Sequence, residues 1–293
     1  MTLNFVRAAD VQCLTGEGPV YDERTDTLYY VDIPGHRLHA LDLPSNRHHT
    51  WPFETEVACL GLTVSGRLIV ALRHDVVLFD PRTGARELVC TIEGDRAETR
   101  LNDGKVGPDG ALWVGSMDDR KDKEPIGALY RVSPSGQVDR KVEGVTISNG
   151  LAWTADGEWM FHSDTRGPWI DRWRFDRRTG AISERSRFAE PGNDVGRPDG
   201  AAVDAEGYYW SAGYSGGRLN RFAPDGTLVQ SEPLPVLSPT MPCFGGADFR
   251  TLFLTSAREN KTAEQLAAAP DTGYLMRAEA PVSGLPAWRF LDA

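Results

Sequence analysis

Four short segments place oxygen-bearing side chains beside glycine: Gly16-Glu17-Gly18-Pro19, Leu101-Asn102-Asp103-Gly104, Ser148-Asn149-Gly150 and Arg197-Pro198-Asp199-Gly200. Carboxylate and carboxamide oxygens are hard donors, so four of them meeting at one point would suit a divalent cation that prefers oxygen. The glycines permit the tight turns that aim such oxygens inward. Any one of these segments alone reads as an ordinary turn dipeptide. What sets them apart is that all four fall at one position of a longer repeat.

That repeat supplies the elements that must position them. A turn rich in Asp, Gly or Pro followed by a short apolar-aromatic run recurs at 26–32, 65–70, 108–114, 155–161, 205–210 and 249–254. A second strand-like run follows each copy, at 37–42, 76–80, 127–132, 170–175, 218–222 and 274–277. These runs alternate with period 2, and turns such as Asp80-Pro81-Arg82-Thr83-Gly84 and Pro224-Asp225-Gly226 separate them, so they read as hairpin strands. Six copies at roughly 40 to 50 residues each match the blade length of β-propellers. The expected architecture is all-β: one domain over residues 1–293, a six-bladed propeller with a central channel. The segments 4–8 and 288–291 are expected to complete one blade jointly, which would remove an open sheet edge. Only 262–269 reads as helical. In such a ring the segments preceding each repeat copy reach one axial point, which is where the four oxygen-bearing groups would meet.

Composition narrows the function classes. With 32 Lys and Arg against 42 Asp and Glu, the formal charge of -10 argues against a phosphate-backbone-binding surface. Cys13, Cys59, Cys90 and Cys243 form no CxxC pair, so neither a zinc knuckle nor a disulfide framework is indicated. No stretch approaches the ~20 apolar residues of a membrane span, and the first residues lack a signal-peptide pattern, so a cytoplasmic protein is expected. Gly213-Tyr214-Ser215-Gly216-Gly217 matches the GxSxG nucleophile elbow, but a strand rather than a helix follows it, which contradicts serine hydrolysis. His162 at a strand end reads as a hydrogen-bonded structural residue. His74 sits at a turn near the channel mouth with no ligand spacing. Trp113, Trp159 and Trp210 occupy repeat-equivalent strands and read as blade packing.

Read together, Gly16-Glu17-Gly18-Pro19, Asp199-Gly200-Ala201-Ala202-Val203-Asp204, Met241-Pro242-Cys243-Phe244-Gly245-Gly246 and Thr255-Ser256-Ala257-Arg258 resemble the senescence marker protein/gluconolactonase/regucalcin family of propeller lactonases. The similarity runs over nearly the whole chain and is strongest to bacterial sugar lactonases of the xylonolactonase or arabinolactonase type. It implies Glu17, Asn149 and Asp199 as ligands of one divalent ion (Ca, Zn, Mg, Mn or Fe). It also implies Arg100 and Asn102 as substrate-binding residues, and leaves open whether Asp118 or Asp119 also contacts substrate.

The chemistry expected is metal-assisted hydrolysis of a pentono- or hexonolactone to its aldonic acid, with Asp199 both ligating the ion and accepting the proton from water. The partner implied is a small sugar lactone, with no nucleic acid and no membrane. Two other readings of the resemblance remain: a non-catalytic calcium-binding regulator, and an organophosphate or aryl-ester hydrolase on the same scaffold.

Overall fold

Period-2 alternation has a definite consequence in the computed structural model, which describes residues 3–292. Along the strand Leu112–Asp118, Leu112 and Val114 pack with Ile69 and Leu101 on one side, while Trp113 packs with Trp153 and Trp173 on the other. Each central strand thus feeds two interfaces, and the core is a series of apolar clusters between neighbouring sheets. Six sheets form the six-bladed propeller, each built on a four-stranded antiparallel unit; in five of them those four strands are consecutive, and the last takes its outermost strand from the N-terminus. Trp113 and Trp210 are fully buried between blades, as blade packing requires.

Burial falls outward along each blade. All seven residues of the innermost strand Val57–Thr63 are buried, whereas the outermost strand Ala181–Ala189 is mostly exposed. The six innermost strands are Gly16–Asp22, Val57–Thr63, Thr99–Val106, Ser148–Trp153, Pro198–Val203 and Pro239–Gly245. Every one of them carries a register shift against its neighbour near its start, at Glu17/Val20, Val57/Cys59, Leu101/Gly104, Asn149/Ala152, Pro198/Ala201 and Pro239/Pro242. A bulge frees residues from the ladder and re-aims their side chains. Four of these six bulges hold the oxygen-bearing segments.

The termini differ from the joint closure expected of them. Val6–Gln12 pairs antiparallel with Tyr274–Glu279 and supplies the fourth, outermost strand of the last blade. Arg289–Phe290 instead pairs in parallel with Leu62 and Thr63 at the inner edge of the second blade. The N-terminal strand alone completes the last blade. The C-terminal segment gains more elsewhere: Phe290 is buried in the cluster between blades two and three, and Arg289 pairs with Asp22 and Glu23.

On its way, the C-terminal segment crosses the channel end opposite the bulges. There Leu285, Pro286 and Trp288 roof a cavity of about 100 Å³ whose wall includes Lys105 and Cys243 but none of Glu17, Asn102, Asn149 or Asp199. The helix is Ala263–Ala268, started by a capping box in which Thr262 and Gln265 bond each other's backbone N–H groups. Among the described residues, no helix is long and apolar enough to cross a membrane.

Candidate active site at the propeller axis

Glu17, Asn102, Asp103, Asn149 and Asp199 all sit at the starts of innermost strands and are all buried. Hydrogen bonds carry the arrangement from blade to blade. Arg100 donates from Nη1 to Asn102 Oδ1 at 2.9 Å, and Asn102 Nδ2 lies 3.0 Å from the Ser148 carbonyl and 3.4 Å from Asn149 Oδ1. Asn149 donates from Nδ2 to Thr165 Oγ1 at 2.7 Å, and that hydroxyl donates to the Pro198 carbonyl at 2.8 Å. Thr165 therefore fixes which way the Asn149 amide faces, leaving its oxygen on the Asn102 side. His162 bonds Ser148 Oγ at 2.7 Å from inside the blade, a structural role.

The electrostatics are those of crowded negative charge. Burial, then the charge of Asp103, pushes the Glu17 carboxyl up to about 8. Asp199 is raised well above the carboxylate range by burial and by Glu17 and Asp103, and burial raises Asp103 too. Asp103 Oδ2 accepts from Leu151 N–H at 3.3 Å, while its buried Oδ1 has no partner. Lys105, half-buried with its ammonium against the Ala201 carbonyl, opposes this charge, and Arg100 lowers the Glu17 carboxyl as well. Ionised, three carboxylates against one ammonium leave a deficit of two positive charges.

Arg100 does not close that deficit, because Asp119 already faces it at 3.2 Å and shares its other oxygen with Arg73 at 3.0 Å. The Asp118 carboxylate is taken by Arg120 and by the Glu124 N–H. His74 donates to the Ile92 carbonyl and makes no contact with the axial group. The loop 213–217 has a short 3-10 turn followed by the strand Arg218–Phe222, and Ser215 Oγ accepts from the Arg197 N–H, so no nucleophile elbow forms.

Asp103 and Thr165 escaped the sequence reading as site residues. Asp103 was visible beside Asn102, but only the bulge shows that both neighbours turn inward. Thr165 lies in a strand-end loop with no motif of its own.

A second grouping, Cys13, Asp32 and His39, has ligand atoms within 4.8 Å of one another inside the first blade. Its geometry has another explanation. Asp32 accepts the Leu14 and Thr15 N–H groups through its two oxygens, and Asp164 does the same for Thr146 and Ile147 three blades on. A repeated loop-capping carboxylate needs no ion, and burial raises the Cys13 thiol so that it stays protonated.

Fold and axial residues together define a six-bladed propeller with a cluster of buried carboxyl and carboxamide groups at the starts of its innermost strands. Residues 15–258 match the SMP-30/gluconolactonase/LRE-like region, and the chain belongs to that family. It is 38% identical over 271 residues to a 6-deoxy-6-sulfogluconolactonase of Pseudomonas putida, covering 92% of each chain. It is 30% identical over 270 residues to human regucalcin, covering 90% of each. Among solved structures, a calcium-binding regucalcin of Agrobacterium tumefaciens superposes with a TM-score of 0.94 at 28% identity, over 99% of this chain and 98% of that one.

Proposed function

We propose that this lactonase depends on one divalent cation, held by Glu17, Asn149 and Asp199, and opens the ring of an aldonolactone to the free aldonic acid. What supports the reading is the gathering of three buried carboxyls, Glu17, Asp103 and Asp199, two of them raised by burial and by the charges of their neighbours, beside a carboxamide oxygen pinned in place by Thr165. An all-oxygen donor set of that charge fits a hard divalent ion. A cation bound there supplies Lewis acidity for the lactone carbonyl and acidifies a water molecule.

The residues of the chain do the rest. Asp199 takes a proton from water as the water oxygen bonds the carbonyl carbon. It returns that proton to the ring oxygen as the ring C–O bond breaks. Arg100 and Asn102, locked to each other at 2.9 Å, present N–H donors at the mouth and orient the sugar hydroxyls. The name of the Pseudomonas putida relative specifies a gluconolactone sulfonated at carbon six, which keeps substituted hexonolactones within the substrate class.

The test is acid release from xylono-, arabinono-, galactono- and gluconolactone by chelator-stripped protein, with and without Ca²⁺, Mg²⁺, Mn²⁺, Zn²⁺ or Fe²⁺. Metal-restored turnover of one or more lactones is the expected result. Metal binding without turnover of any lactone would instead assign the chain to a calcium-binding regulatory role.

A further inference from the structure

Blade three carries a polar cleft at the end of the ring where the axial residues lie. The strand Thr99–Val106 starts at that end, where Thr99 pairs with Asp118. Further out on the same blade Gly127 pairs with Val145 and Ala128 with Glu143, so Gly144, at a φ of +73°, stands unopposed in a bulge. Beside this bulge opens a cleft of about 210 Å³ whose walls include Glu93, Arg96, Tyr130, Arg140 and Glu143. Glu93 is held in a left-handed backbone conformation, φ +52°, which a residue with a side chain keeps only where its surroundings enforce it. Its side chain is 4% exposed. Oε1 accepts from the Tyr130 hydroxyl at 2.6 Å, from Ser116 Oγ at 3.1 Å and from Arg96 Nη1 at 3.1 Å, while Oε2 is buried without a partner among the described residues. A buried carboxylate oxygen lacking a donor is a cost that a bound donor removes. The four charged groups of the cleft pair off, Arg96 with Glu93 and Arg140 with Glu143 at 3.0 Å, and Glu98 outside it also faces Arg96, so no surplus is left to draw an anion. Guanidinium donors, carboxylate acceptors and the Tyr130 ring together match a neutral molecule whose hydroxyls both donate and accept.

We propose that this cleft is a second binding site, for a small neutral polyhydroxylated molecule such as a monosaccharide, with one ligand hydroxyl donating to Glu93 Oε2 and the rim pair Arg140 and Glu143 holding others. None of Glu17, Asn149 and Asp199 lines it, so the proposal stands apart from the metal and from turnover. Arg96 ties the cleft together: Nη1 also donates to the Ile126 carbonyl at 3.1 Å, and its own carbonyl accepts the Thr99 N–H at 3.2 Å, where the chain enters the strand that bears Arg100 and Asn102.

The experiment titrates the metal-loaded protein with glucose and xylose, followed by saturation-transfer NMR, beside gluconate and glucosamine as anionic and cationic counterparts of glucose. Glucose is expected to bind with a Kd of about 1 to 10 mM, as a small polar ligand does. Arg140→Ala and Glu143→Ala, which truncate exposed rim side chains, should each weaken it about fivefold or more. Glu93→Gln, which turns the free acceptor into a donor, should weaken it by about tenfold. Arg100→Ala, at the axial site, should keep the wild-type affinity. Circular dichroism checks that each variant is folded, and the two rim variants decide the matter if Glu93→Gln is not. No binding of glucose or xylose, or an affinity unchanged in both rim variants, overturns the proposal and leaves the lactonase reading intact. A loss confined to Arg100→Ala places the sugar at the axis and overturns it too. If the binding that the rim variants remove is more than about tenfold tighter for gluconate or glucosamine than for glucose, the cleft belongs to an ion and the neutral class is wrong.

Discussion

Charge crowding at the axis is a stability cost held for function. Three buried carboxyls crowd together, with Glu17 and Asp199 raised by burial and by the charges of their neighbours, and the structure sets one half-buried ammonium, that of Lys105, beside them. Removing one negative charge should therefore steady the metal-free protein and weaken its hold on a cation. Asp103→Asn is the cleanest variant, because an amide oxygen can still accept the Leu151 N–H that Asp103 Oδ2 accepts now. Its melting temperature in chelator should exceed that of the wild type, while calorimetric titration should show a divalent ion bound about tenfold or more weakly. Asp199→Asn differs, since Asp199 is assigned proton transfer as well as ligation. At saturating metal its kcat should fall roughly 100-fold or more. Wild-type turnover with normal metal affinity in Asp199→Asn would remove both roles.

The bulge near the start of each innermost strand is the element that makes the site. A regular strand would turn alternate residues into the two blade interfaces, whereas the shift between Asn149 and Ala152 frees Gly150 and Leu151 from the ladder and lets Asn149 face the axis. Gly150 makes that bulge possible. Its φ is +67°, and an added Cβ would lie 2.5 Å from both Ser163 Oγ and the Tyr209 hydroxyl, which itself bonds the Gly150 carbonyl. Gly150→Ala should cost roughly 2 to 4 kcal/mol in urea unfolding, from left-handed backbone strain and overpacking together. It should also loosen metal binding by moving Asn149. A stability within 0.5 kcal/mol of wild type, an approximate bound for a neutral surface change, would mean that the bulge tolerates a side chain.

At the scale of the whole ring, closure depends on the N-terminal strand, and acid sensitivity depends on histidines sealed between strands. His39 and His162 are almost wholly buried, and burial pushes each ring down to about 3. An unfolded histidine takes up its proton near pH 6.5, so between about pH 3 and 6.5 the unfolded chain binds more protons than the folded one. The stability these neutral rings contribute is present above pH 6.5 and is lost as pH falls through that window, by up to about 1.4 kcal/mol per pH unit for each ring. The raised axial carboxyls contribute the opposite slope above about pH 4.5, so the histidine term is read by difference: urea unfolding at several pH values should show that His162→Gln lacks about one proton's worth of the wild-type dependence between about pH 3 and 6.5.

Much of this protein was legible in its sequence because β-propellers repeat. Period-2 alternation and glycine turns recur often enough to count six blades, and the phase of that count singled out Glu17, Asn102, Asn149 and Asp199. Short-range rules determine both, since strand and turn propensities act over a few residues. What the tertiary structure decided is long-range. The destination of Arg289–Phe290 was set by a pocket for Phe290 between blades two and three, far away in sequence. The inward turn of Asp103 depends on a bulge defined only against the neighbouring strand. The role of Thr165 exists only because Asn149 and the Pro198 carbonyl, from two different blades, meet on its one hydroxyl. Each of these depends on which surfaces the closed ring brings together, and no local pattern encodes that.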